Sequence, residues 1–218
     1  MNEGALRAEI CRVGASLFAR GYVHATAGNI SARLPDGFLI TPTDACLGFL
    51  DPGRISKVDA SGNALPGAAP SKTLALHRRI YEADPAAGCV IHTHSTHLVA
   101  LTLAGAWSTD DVLPPITPYF VMKVGHVPLI PYHRPGDARV ADLVAEAIAM
   151  RAARGTPIRA VLLDRLGPNV WHESPAAAMA VLEELEETAK LWLMGARRAE
   201  PLDEPAIDAL RRAFGARW

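Results

Sequence analysis

His92 and His94 stand two residues apart in Gly88-Cys89-Val90-Ile91-His92-Thr93-His94-Ser95-Thr96-His97. Val90 and Ile91 ahead of them are β-branched and apolar, as in a buried strand. On a strand, residues i and i+2 face the same side, so the two imidazoles point together. Neutral ring nitrogens on a rigid strand make a start on a divalent-metal site. Two ligands do not close such a site, and the same pair also fits strand-end histidines with local hydrogen bonds. Ser95 or Thr96 reads as a helix N-cap ahead of the apolar run 98–103, which puts His97 in a first helical turn.

Three small polar loops offer a second kind of chemistry: Thr26-Ala27-Gly28-Asn29, Thr41-Pro42-Thr43 and Ser71-Lys72-Thr73. Glycine lets backbone approach a ligand. Hydroxyls and backbone N–H groups near a helix start favour anions, and Lys72 adds a positive charge. Such loops suit an oxyanion or phosphate cradle, and they equally suit ordinary turns and caps. Arg134, in Tyr132-His133-Arg134-Pro135-Gly136-Asp137, has the forked geometry to pair with a carboxylate or else stands solvated in a loop. Residues 183–187, with four glutamates, read as the exposed face of a helix, and His77 as a satisfied core histidine.

Something must position these residues. The 218 residues allow one compact α/β domain with a substantial core. A net charge of −1 gives no pull toward nucleic acid or anionic membrane. No apolar run is long enough to span a bilayer, and the first residues lack a signal-peptide pattern. The three cysteines, Cys11, Cys46 and Cys89, are odd in number and scattered, which argues against a disulfide framework and for a reducing cytoplasm.

Apolar spacing predicts helices over 5–20, 72–83, 140–154 and 176–193, and a tail helix within 200–218 carrying Ile207, Leu210 and Phe214. Ser71 is the expected cap of the second. Strands are expected after the Gly28-Asn29 turn as far as Leu34, and near 38–40, 55–59, 90–94 and 158–163, with Val170-Trp171 as a hairpin partner of the last. Residues 119–122 and 127–130 read as short strand-like segments. Several strands join as hairpins, so the expected architecture is a single three-layer α/β/α domain, residues 1–218, with a largely antiparallel central sheet.

Taken in order, these pieces resemble the class II aldolase/adducin family. The matching elements are Ala27-Gly28-Asn29-Ile30-Ser31-Ala32-Arg33, Leu39-Ile40-Thr41-Pro42-Thr43, Pro70-Ser71-Lys72 with His77, and Val90-Ile91-His92-Thr93-His94-Ser95. Within the family, residues 116–125, 130–137 and 182–190 look most like the 3-oxo-tetronate 4-phosphate decarboxylase branch. The resemblance implies a class II aldolase-like fold in a homotetramer, with a metal site near a subunit interface. It implies a divalent metal, zinc or manganese, with His92 and His94 as two of its three histidine ligands. The substrate would be a small keto or hydroxy acid of carbohydrate metabolism, held by Thr26, Gly28, Asn29, Thr43, Asp44, Ser71 and Lys72. Lys72, Thr73 and Tyr119 are the candidate catalytic residues, with Tyr119 donating a proton to the product.

Three positions depart from the family pattern. The third metal histidine usually opens a His-Gly pair, and here that pair is Leu166-Gly167. The glutamate expected shortly after Pro70-Ser71 is Thr73. The glycine after Thr-Pro-Thr is Asp44, whose charge opposes a phosphate dianion. At roughly 5 Å and an effective dielectric of about 20, one pair of like unit charges costs about 3 kcal/mol. The expectation is therefore a carbon–carbon lyase, decarboxylase ahead of aldolase, with a metal weakly held or absent and a substrate that need not be phosphorylated. His24, His97, His126 and His172 are available to complete the ligand set. The alternative is a non-catalytic or regulatory homologue that keeps the fold and a ligand pocket.

Overall fold

The computed structural model describes residues 2–218. Helix α1 (Glu3–Ala19) opens on Asn2, whose side chain accepts from the Ala5 N–H, and buries Leu6, Ile10, Val13 and Leu17 along one stripe. It stops at Gly21, whose φ of +74° turns the chain away and lets Tyr22 N donate to Leu17 O. Strands β1 (Asn29–Leu34), β2 (Gly37–Ile40) and β3 (Ser56–Asp59) form a meander. Helix α2 (Leu74–Ala83) leads to β4 (Cys89–His92) and α3 (Thr96–Ala104). Then come β5 (Leu129–Ile130), α4 (Arg139–Ala153), the hairpin of β6 (Ala160–Leu163) and β7 (Gly167–His172), α5 (Pro175–Met194) and α6 (Glu204–Phe214).

The seven strands lie in the order β3-β2-β1-β4-β7-β6-β5, and only the β5–β6 pair is parallel. The expected three-layer, largely antiparallel architecture is what forms. Alternation along the central strands sorts the two cores. Ile30, Ala32, Cys89, Ile91 and Val170 face α1, α3 and α5. Val90, Trp171 and Val161 face α2 and α4, where Ile80, Tyr81, Val144 and Ile148 meet them. Each fully buried branched side chain contributes about 1.5–3 kcal/mol. Trp171 is wholly buried, and its indole N–H donates to Asp84 Oδ2 at 3.0 Å. Among the described residues no helix is long and apolar enough to cross a membrane.

Several local expectations need correction. Residues 119–122 are not strand-like: Phe120–Val124 winds as one π-helical turn. Thr117 Oγ1 accepts from Phe120 N, which starts the turn, and Gly125 at φ +77° ends it. Phe120 enters the main core while Val121 packs on Ile207. Four apolar residues are too few for a period to show. Helix α2 begins at Leu74 rather than 72, and neither Ser71 nor Thr73 caps it by a side-chain bond; the Ser71 carbonyl accepts from Leu74 N instead. The tail helix is shorter than expected, and Phe214 is 66% exposed rather than in a core.

Glu186 is a further correction. It is 2% exposed, not part of a solvated face. Its carboxylate accepts from the backbone N–H groups of His97 and Leu98 and bonds His97 Nδ1 at 2.8 Å. Ser95 makes no side-chain cap bond, so Glu186 on α5 supplies the negative charge at the α3 N-terminus from another element.

Candidate active site

Strand β4 ends at His92, so His94 lies just beyond the sheet. The two rings nevertheless meet, with centroids 5.1 Å apart. Gly167 fixes this end of the strand: at φ +130°, any Cβ there would come within 2.1 Å of the Thr93 carbonyl oxygen. Gly28 does the same on the other side, where a Cβ would stand 2.9 Å from the His92 carbonyl oxygen. Leu166, the residue before Gly167, lines the same cavity as the two histidines.

A cavity of about 460 Å³ opens over this end of the sheet. Thr26, Gly28, Asn29, Thr43, Asp44, Ser71, Lys72, Thr73, His92 and His94 all line it, and so does Leu166. Tyr119 does not; it is 60% exposed on the surface outside the cavity. The lining also includes the segment 131–138 and the first turn of α4, with His133, Arg134 and Asp137. Sequence reasoning offered Arg134 a carboxylate partner but did not place it in one cavity with the histidines. Asp164, also in the wall, carried no signal beyond following an apolar strand.

His92 is buried, and its Nδ1 donates to the Pro168 carbonyl at 2.8 Å. Burial first, and then the nearby His94, push its pKa down to about 4 against the opposing Pro168 bond. His94 is also shifted down, first by burial and then by His24. Both are neutral imidazoles at neutral pH, and His92 keeps an unprotonated Nε2. That is the donor state a dication requires, with the ring oriented by a backbone carbonyl. The pair therefore fits a divalent metal as two ligands. Leu166 adds none, and among the described residues no group of three His, Cys, Asp or Glu side chains stands ready to hold one.

Register places Asn29 and Asn169 on either side of His92, in one row across β1, β4 and β7. Asn29 Oδ1 and both amide atoms of Asn169 are buried without a hydrogen-bond partner, as is Nε2 of His77. His77 is otherwise held by Ser31 Oγ at 2.7 Å. Unpaired buried groups are costly, and of these only Asn29 lines the cavity, where it favours a polar occupant. Asp44 sits at the loop mouth with φ +56°, a left-handed backbone that glycine adopts without strain. No carboxylate stands at position 73, where Thr73 Oγ1 pairs instead with Ser71 Oγ at 3.0 Å.

Fold and cavity together define a class II aldolase-type α/β domain. The family described as Class II Aldolase and Adducin N-terminal domain matches residues 8–193, and the chain belongs to it. It sits on the 3-oxo-tetronate 4-phosphate decarboxylase branch. The 3-oxo-tetronate 4-phosphate decarboxylase of Cupriavidus necator is 59% identical over 99% of both chains. The crystal structure of YgbL from Escherichia coli superposes with a TM-score of 0.87 at 45% identity, covering 96% of this chain and 99% of that one. L-fuculose-1-phosphate aldolase from Thermus thermophilus superposes at 0.75 and 28% identity, over 91% and 98%.

Proposed function

We propose that this protein, acting as one domain over residues 1–218, is a carbon–carbon lyase that decarboxylates a small 3-oxo hydroxy acid. Membership of a family with decarboxylase and aldolase relatives supports the lyase class. One observation favours decarboxylation over aldol cleavage: the cavity wall carries Thr73 where the resemblance calls for a carboxylate base. Aldol cleavage needs a base to take a hydroxyl proton. Loss of carbon dioxide does not.

In a 3-oxo acid the bond between C2 and the carboxylate carbon breaks. Its electron pair passes to the C3 carbonyl oxygen as an enolate, carbon dioxide leaves, and C2 then takes a proton. Lys72 in the cavity wall stabilises the enolate by its charge. His92 and His94 would hold zinc or manganese, which when bound polarises a keto oxygen. Thr26, Gly28, Asn29, Thr43 and Ser71 bind the far end of the substrate, and Asp44 sets its preference against a phosphate there. Tyr119 lies outside the cavity of its own chain, so it could give the product a proton only from a neighbouring copy, in the homotetramer that belongs to this reading. Three free cysteines suit a cytoplasmic setting.

The experiment is a paired assay of carbon dioxide release from 3-oxo-tetronate with and without its 4-phosphate, beside cleavage of ketoses with and without phosphate. Release from the oxo acids supports the reading. Ketose cleavage without carbon dioxide release overturns it. Silence on every substrate returns the non-catalytic homologue, which the changes at Leu166, Thr73 and Asp44 would then explain.

A further inference from the structure

The two cavity histidines belong to a longer run of imidazoles. The ring of His24 stands 6.3 Å from that of His94, edge-on at 69°, and His94 stands 5.1 Å from His92. His24 rides on the turn that leads into the Gly28–Asn29 loop. That turn is well defined. Tyr22 and Val23 before it are buried, and Ala27 N donates to the His24 carbonyl at 2.9 Å. Ala25 adopts φ +48°, a left-handed conformation that a residue with a Cβ takes at some cost. The backbone under His24 is thus held, while its ring is exposed, makes no hydrogen bond among the described residues, and has other staggered rotamers open to it.

We propose that His24 supplies the third imidazole to a divalent cation held by His92 and His94, replacing the ligand that Leu166 cannot be. The inference rests on the reading of His92 and His94 as metal donors. With the side chains as they lie, the three rings do not yet close on one point; His24 must swing toward the pair. The other histidines are committed elsewhere. His97 is bonded to Glu186, and His126 is bonded to Asp111 and stacked on Trp218 at 4.4 Å. His77 is buried against Ser31, and His172 Nδ1 accepts from Glu173 N. His133 lines the cavity but pairs with Asp137 at 3.5 Å, which makes it the rival to exclude. Three imidazole ligands suit zinc, cobalt or nickel better than manganese, whose preference runs to oxygen.

The test is titration of tag-free, chelator-stripped protein with cobalt(II), read by its visible ligand-field bands and by calorimetry. Wild type is expected to bind one ion. His24→Gln should lower the affinity about tenfold or more and change the spectrum, while His133→Gln leaves both unchanged. Adding Leu166→His to His24→Gln should restore binding. Binding and spectrum unchanged in His24→Gln but lost in His92→Ala overturn the His24 assignment alone. A loss in His133→Gln with none in His24→Gln overturns it in favour of His133. Wild type that takes up no cobalt overturns the metal reading and this inference with it. Circular dichroism of each variant checks that the exposed substitution leaves the fold intact.

Discussion

The Nδ1 of His92 donates to the carbonyl of Pro168 at 2.8 Å, tying the end of β4 to the start of β7. Pro168 can only accept, so this bond decides the tautomer and turns an unprotonated Nε2 outward. Gly167 beside it packs the β6–β7 turn against the backbone of Thr93 and His94, and Leu166 in that turn lines the same cavity. The position of the missing ligand is therefore set by backbone that the chain has kept.

Leu166→His should accordingly strengthen metal binding without other changes, because Leu166 already lines the cavity with His92 and His94. A gain of roughly tenfold or more in zinc affinity is expected from one added imidazole. Calorimetric titration of the purified variant checks it, and an unchanged affinity would show that the turn does not face the pair.

Asp44→Gly should improve binding of inorganic phosphate. It removes a charge worth up to about 3 kcal/mol against a dianion and relieves a left-handed aspartate at φ +56°. The readout is the rise in melting temperature with added phosphate. Wild type protected as strongly as the variant would count against a role for Asp44.

Stability should fall as the solution is acidified below neutrality. Burial lowers the His77 pKa from 6.5 to about 3 and that of His92 from 6.5 to about 4. Between those values and 6.5 the unfolded chain binds protons that the folded one refuses. The stabilisation is thus complete above 6.5 and lost as pH drops toward 4, at about 1.4 kcal/mol per pH unit for each histidine. Urea denaturation from pH 7 to pH 5 measures the slope, and His77→Gln should flatten it. A pH-independent midpoint in metal-free wild type would refute this.

Glu186→Ala should destabilise the protein by about 1–3 kcal/mol, because it leaves two backbone N–H groups of α3 without their acceptor. Glu186→Gln keeps one acceptor oxygen and should lose less. Chemical denaturation separates the two, and equal losses would mean that charge rather than hydrogen bonding matters.

Much of this was legible in the chain. The spacing of Leu6, Ile10, Val13 and Leu17 specifies a helix whatever lies beside it, because the period belongs to the backbone. The alternation in β1, the apolar run of β4, the Gly28–Asn29 turn and the His-x-His pair are local in the same way. So the elements and the histidine pair follow from short-range pattern, and the cavity gathers the candidate binding and catalytic residues except Tyr119, while His24, His97, His126 and His172 lie outside its lining. Other facts depended on which surfaces met. Phe120–Val124 winds as a helical turn because its two faces find separate cores. Glu186 is buried because α3 happens to end its backbone N–H groups there. His24, 68 positions before His92 by number, comes within one ring of His94 only after β1 pairs with β4. Pairing and packing are long-range, and no window of sequence contains both partners. That is why the types and spacing of residues determined the elements and their chemistry, while only the tertiary structure decided which histidines and carboxylates share a site.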